Sequence, residues 1–253
     1  MVGHNKNYVQ PFKYTGVYAM GKKEETLNGG EIKTYARRIL TEFGDPTWVE
    51  LKVDSSCNTT ITGNYGKLYT IKAWRESLNS PDSNMVKALK IMIGHEIGHR
   101  VINGAFNNGY VLAWRLDKPK NHKNSIIRCC QESACDSFGA AEKMRLWGDV
   151  SASEAKEFAR LANGDKKYNL DAEFYYIKTG YIEGSKRIKI AVSAAKGNNV
   201  IPYIVKNYVN IMKTQLIDID YDTYLTWLIN ELYTKYPGVY DILSGTRYSK
   251  GGK

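Results

Sequence analysis

The chain has 253 residues, with 36 Lys and Arg against 26 Asp and Glu and a formal net charge of +10. With 43 % hydrophobic and 25 % charged residues, the composition excludes a mostly disordered chain, a collagen-like repeat and a disulfide miniprotein. The length admits one large domain or two modest ones, each able to bury its own core.

The first readable element is residues 31–44. Ile32, Tyr35, Ala36, Ile39, Leu40 and Phe43 recur at helical spacing, and Gly44 is a natural stop. In residues 48–53 Val49, Leu51 and Val53 alternate with other side chains. Residues 58–62 and 67–74 follow, separated by Gly63, Asn64 and Gly66. These read as short antiparallel strands joined by a turn. From Ser83 to about Asn103 the apolar period is helical again, and a polar loop with Pro119 covers residues 115–124. A long helix is expected from about Ser125 to Leu146. Another spans residues 151–164, opened by the Ser151 and Glu154 capping box and closed by Gly164. Tyr221 to Tyr236 reads as helix, ended by Pro237 and Gly238, while residues 186–194 and 199–217 are apolar and ambiguous. The order helix, small sheet, helix, then mostly helix predicts an α+β class.

The net charge points to an acidic partner such as nucleic acid, but it is diffuse. It concentrates in residues 115–128, with Arg115, Lys118, Lys120, Lys123 and Arg128, and in residues 184–217. The latter holds Lys186, Arg187, Lys189, Lys196, Lys206 and Lys213 and no acid. Solvated lysine-rich faces account for both, and a nucleic-acid surface is the less favoured reading. The cysteines, Cys57, Cys129, Cys130 and Cys135, include an adjacent pair and no metal-type spacing. They read as small buried residues in a reducing compartment. No secretory signal and no run of 18 apolar residues is visible, so a cytoplasmic or virion-associated protein without a membrane partner is expected.

One stretch carries chemistry: His95-Glu96-Ile97-Gly98-His99. The two histidines stand one helical turn apart on one face, so both ring nitrogens can reach one tetrahedral Zn²⁺. Glu96 cannot easily join that coordination sphere. It can take the proton of a water that zinc has acidified, as the water attacks a peptide carbonyl. Half of the histidines of the chain fall in this pattern, and chance placement at this composition gives it in only about 0.3 % of chains. A third protein ligand is required. Ile102 and Ala105 stand where the metzincin extension needs Gly and His, which leaves a carboxylate on a later helix. Glu132 supplies it, and Asp136, one turn on, would accept the second ring N–H of His95 or His99. Small Ala134, Gly139, Ala140 and Ala141 would let that helix pack close to the first.

These two stretches resemble the glutamate zincins (gluzincins), which combine a His-Glu-x-x-His helix with a downstream Glu and, four residues on, an Asp. Residues 132–140 are also similar, more weakly, to the ImmA/IrrE-type peptidases of mobile elements. The resemblance covers roughly residues 30–148. It implies a zincin-like core over residues 1–148, made of an N-terminal helix, a small mostly antiparallel sheet, the histidine helix and the third-ligand helix, and a mainly helical lobe over 149–253. It further implies Zn²⁺ on His95, His99 and Glu132, Glu96 as general base, Asp136 behind the ligands, and an extended peptide adding along the strand of residues 67–74. Gly94, a poor helix former immediately before the motif, departs from the pattern. The residue stabilising the oxyanion is open, with His122 and Tyr181 as candidates; Tyr175 and Tyr176 lie in the same region.

The expected function is a zinc-dependent endopeptidase acting on a protein or peptide substrate. Two alternatives stand beside it. One is a zincin-like fold acting as a structural or binding component with assembly partners, such as a phage particle, which the Lys-, Asn- and Tyr-rich composition of low-GC mobile elements suits. The other is a basic nucleic-acid-binding protein using residues 184–217.

Overall fold

The structure, a computed structural model, describes residues 50–53, 59–62, 83–102, 122–163, 182–214 and 217–249. Two strands, β1 (Glu50–Val53) and β2 (Thr59–Thr62), pair antiparallel with Leu51 opposite Ile61. Seven helices make up nearly all the rest: α1 (Asn84–Ile102), α2 (His122–Trp147), α3 (Ala152–Asn163), α4 (Gly184–Ala195), α5 (Ile201–Thr214), α6 (Tyr221–Lys235) and α7 (Pro237–Leu243).

The α+β class expected from the sequence, with its zincin-like layer of helices on a small antiparallel sheet, does not hold. The described residues are overwhelmingly helical, and their only ladder is two strands of four residues. Two such strands do not form a layer: a third strand or a packed helix is needed before a sheet stands on its own. The expected helix over residues 31–44, the strand over 67–74, and Cys57, Tyr175, Tyr176 and Tyr181 lie outside the described residues.

Four helices close into a ring, α1 on α2, α2 on α4, α4 on α3 and α3 back on α1. Its interior is filled by Ala88 and Ile91 of α1, Ala140 of α2, Phe158 of α3, and Ile188 and Ala191 of α4. The outer side of α2 is covered by α5 and α7, with α6 packed on both of these. A second cluster therefore runs from Leu89, Ile93 and Ile97 through Phe138 to Val205, Leu228 and Ile242. Among the described helices α2 lies at the centre. Every residue from Cys129 to Lys143 is buried, which a helix tolerates only when it is enclosed on all sides.

Local signals explain the helix limits. Ser151 and Glu154 form the expected capping box, with the Ser151 N–H donating to Glu154 Oε2 at 2.5 Å and the Glu154 N–H to Ser151 Oγ at 3.2 Å. Asp220 caps α6 by accepting from the Thr223 N–H at 2.8 Å. Pro237 does more than end α6, because as the first residue of α7 it starts a new helix. The ambiguous stretches resolve as α4 and α5. In α5 Ile201, Ile204, Val205, Tyr208, Val209 and Met212 form one buried stripe.

The tightest contact is between α1 and α2, which run antiparallel. A Cβ on Gly94 would lie 2.5 Å from the Gly139 Cα, and one on Gly139 would fall inside the Ile91 carbonyl oxygen. One turn along, a Cβ on Gly98 would lie 3.2 Å from the Cys135 Cα. Gly94 is therefore required by the close approach of the two backbones, at the expense of helix propensity. Among the described residues, no helix is long and apolar enough to cross a membrane.

Gly139→Ala is expected to lower stability by about 1–3 kcal/mol through overpacking, read as a fall of several degrees in Tm. An unchanged melting curve would refute the backbone contact.

Candidate metal centre

The helix contact brings two residue stripes together. His95 and His99 stand one position beyond Gly94 and Gly98 on α1, and Glu132, Cys135 and Asp136 face them from α2. His95 Nε2 and His99 Nε2 are 3.1 Å apart. Glu132 Oε2 lies 3.4 Å from the first and 3.5 Å from the second. The two imidazole rings meet edge to face at 87°. Atoms held about 2.0–2.1 Å from one tetrahedral ion lie about 3.3–3.4 Å from one another, so this triangle has the spacing of three ligands around a common centre. His95, His99 and Glu132 are the group among the described residues that could hold a metal ion.

The buried carboxylate supports this. Glu132 Oε2 is enclosed and has no hydrogen-bond partner, although both imidazoles are near it. Neither imidazole meets it in hydrogen-bond geometry, while the two Nε2 atoms lie within hydrogen-bond distance of each other. A buried carboxylate oxygen left without a donor is costly, and a cation there would satisfy it. Burial alone would raise the Glu132 carboxyl, but in the metal-free protein the His99 and His95 imidazoles, when they carry a proton toward it, hold it well below the usual carboxylate range.

The ring orientations are fixed from behind. His95 Nδ1 lies 2.7 Å from Asp136 Oδ1. That oxygen also accepts from the Arg187 Nη2–H at 2.8 Å, while the Arg187 Nε–H donates to Asp136 Oδ2 at 2.8 Å. An ionised carboxylate only accepts, so His95 Nδ1 carries the proton and Nε2 presents a lone pair to the centre. The Asp136 carboxyl, which burial alone would raise, is held down by Arg187 and then by His95. His99 Nδ1 instead meets the Cys135 thiol, with Sγ 3.3 Å away. The exposures of the three ligand side chains differ: 8 % for His95, 9 % for Glu132 and 17 % for His99. The centre is therefore most open on the His99 side.

The structure thus brings His95, His99, Glu132 and Asp136 together, and Asp136 pairs with His95 of the two histidines considered for it. Glu96 occupies the α1 position next to His95, and its side chain lies outside the description, as does that of His122. On the α2 backbone His122 stands ten positions before Glu132, about 15 Å along the axis. Tyr181 lies outside the described residues. Cys129 and Cys130 are fully buried thiols. Burial pushes the first up to about 12 and the second well above its ordinary value, so both are inert packing groups.

Sequence reasoning missed two members of the site, Arg187 and the role of Cys135. Arg187 had a signal. It falls on the buried stripe of α4 with Gly184, Ile188, Ile190, Ala191 and Ala194, where a lone arginine calls for a buried counter-charge.

No family model matches the chain, and no curated protein or solved structure matches it.

Protein stripped with a chelator is expected to stay folded, and zinc or cobalt at 100 times Kd to stabilise it by about 2.7 kcal/mol. Glu132→Gln and His99→Ala should abolish that stabilisation. Melting curves with and without metal check this, and equal metal-induced shifts in all three proteins would remove the ligand assignment.

Proposed function

We propose that the chain is a zinc-dependent endopeptidase, with zinc held by His95, His99 and Glu132 and with Glu96 as the proton-transferring base. The observation that carries this reading is the triangle of two imidazole nitrogens and one carboxylate oxygen, 3.1–3.5 Å on a side, beside a carboxylate at the next helix position. The donor set is two neutral imidazoles and one carboxylate, which suits Zn²⁺ and leaves a coordination position for a reactant. When bound, zinc supplies Lewis-acid chemistry, acidifying water and polarising a carbonyl oxygen.

The protein's own residues supply the rest. Asp136 and Arg187 hold the His95 ring with its Nε2 turned inward. Burial of Glu132 keeps the donor set dry, which strengthens its hold on a cation. Glu96, on the turn that carries His95 and His99, is assigned the transfer of a proton from water to the departing amine. A peptide substrate would enter from the His99 side, the more accessible edge of the triangle. This reading rests on the site rather than on the fold class, because chemistry of this kind recurs on unrelated folds.

Elemental analysis is expected to find about one zinc per chain in both wild type and Glu96→Gln. The substitution should lower peptide hydrolysis by about 10²–10⁴-fold. Zinc below about 0.2 per chain in wild type would remove the cofactor, and equal hydrolysis by both proteins would remove the role of Glu96.

A further inference from the structure

We infer that Arg187 is a positioning residue of the metal centre, acting on the metal through Asp136 and His95; this rests on the metal reading above. Arg187 belongs to α4, 51 residues after Asp136 and 88 after His99. Yet its guanidinium is buried against the far side of Asp136, 5.8 Å from the Phe158 ring of α3.

Its fork makes two parallel hydrogen bonds, one to each oxygen of the Asp136 carboxylate, both at 2.8 Å. A bidentate grip of this kind fixes the plane of a carboxylate as well as its place. Without the fork Asp136 could turn about its terminal torsion, which is soft. With it, Oδ1 stays aimed at His95 Nδ1, 2.7 Å away, and the ring is held with Nε2 facing His99 and Glu132. Arg187 also supplies the positive charge that lets a fully buried Asp136 stay ionised in the absence of metal, since an uncompensated charge there would be strongly destabilising. The metal centre is therefore built from three helices rather than two. Partners at this remove from a metal typically change its affinity by 10–100-fold.

The test measures zinc Kd by competition with a chromophoric chelator, and the visible spectrum of the cobalt-loaded protein, for the full chain. Arg187→Met is expected to weaken zinc binding about 10–100-fold and to shift the cobalt bands as the His95 ring turns. Arg187→Lys keeps the charge but not the fork, and about a tenfold loss is expected. Arg160→Met, which breaks an exposed pair with Glu157 on α3, should bind like wild type. The decisive readout is coupling: in an Asp136→Asn background, Arg187→Met should add little further loss, because the path runs through Asp136. That double variant leaves no unpaired buried charge, so together with Arg187→Lys it carries the test if Arg187→Met fails to fold. Wild-type affinity and cobalt spectrum in the folded Arg187 variants, or full additivity with Asp136→Asn, would overturn the inference while leaving the metal site intact. Equal zinc binding by wild type and Glu132→Gln would instead overturn the metal reading, and the role of Arg187 with it.

Discussion

Everything at the candidate site depends on how closely the α1 and α2 backbones approach at Gly94 and Gly139. At that crossing there is no room for a single methyl group. The two helices run antiparallel, and both repeat their contact every four residues: Gly94 and Gly98 on one, Gly139 and Cys135 on the other. The histidines are the same four-residue step, rotated by one position. Packing stripe and ligand stripe are thus neighbours on one helix, and the distance set by the first fixes the second. Larger residues at 94 or 139 would push the axes apart, and contacts of 2.7–3.5 Å between the histidines and Glu132 or Asp136 would open beyond bonding range. Packed interiors do not absorb such a change smoothly.

Close approach removes water, and α2 then carries an unusual load of polar groups through the core. Its buried stretch includes Gln131, Glu132, Ser133, Asp136, Ser137, Glu142 and Lys143. All but Gln131 and Glu132 are answered. Lys143 donates to the Gly148 and Asp149 carbonyls and to Glu154, tying α2 to α3. Glu142 takes Arg145, Ser137 donates to the Ser133 carbonyl, and Asp136 takes His95 and Arg187. Buried polar groups are normally satisfied in this way. Beside the unpaired Gln131 amide, the exception that carries a charge is the Glu132 oxygen. It marks the place where the protein's own donors stop and an external cation would complete the set.

The helices were legible where caps, stops or an unbroken helical period mark them. The α3 capping box, the α1 and α6 limits and the long α2 follow from period and caps. Residues 186–194 and 199–217 were not legible, because Ile188, Ile190, Val192, Ile201, Ile204 and Val205 suit strands as well as helices; only the buried stripe each presents to α2 decides. The α+β class failed for a related reason. Alternation at Val49, Leu51 and Val53 is a local pattern, while a sheet layer is a non-local object that needs further strands. The triad His95, His99 and Glu132 was legible because its spacing is dictated by one helix and one chemistry. Arg187 was not, because counting it among the lysines of residues 184–217 treated charge as surface, when the helical period places it inside.

Arg187 and Cys135 also make the two histidines unequal. His95 is buried and held by a carboxylate that is itself clamped by a guanidinium, so its orientation is set by three helices before any cation arrives. His99 is twice as exposed at its side chain, and its Nδ1 meets a thiol, a weak hydrogen-bonding partner. Rigidity and access are therefore separated within one site: the closed side fixes geometry, and the open side admits a ligand and can adjust to it. A centre built this way would not need a metal in order to fold, since its most deeply buried charge, Asp136, is already neutralised by the chain. A metal bound there would add to a scaffold already in place, in contrast to small domains whose fold is the metal site itself.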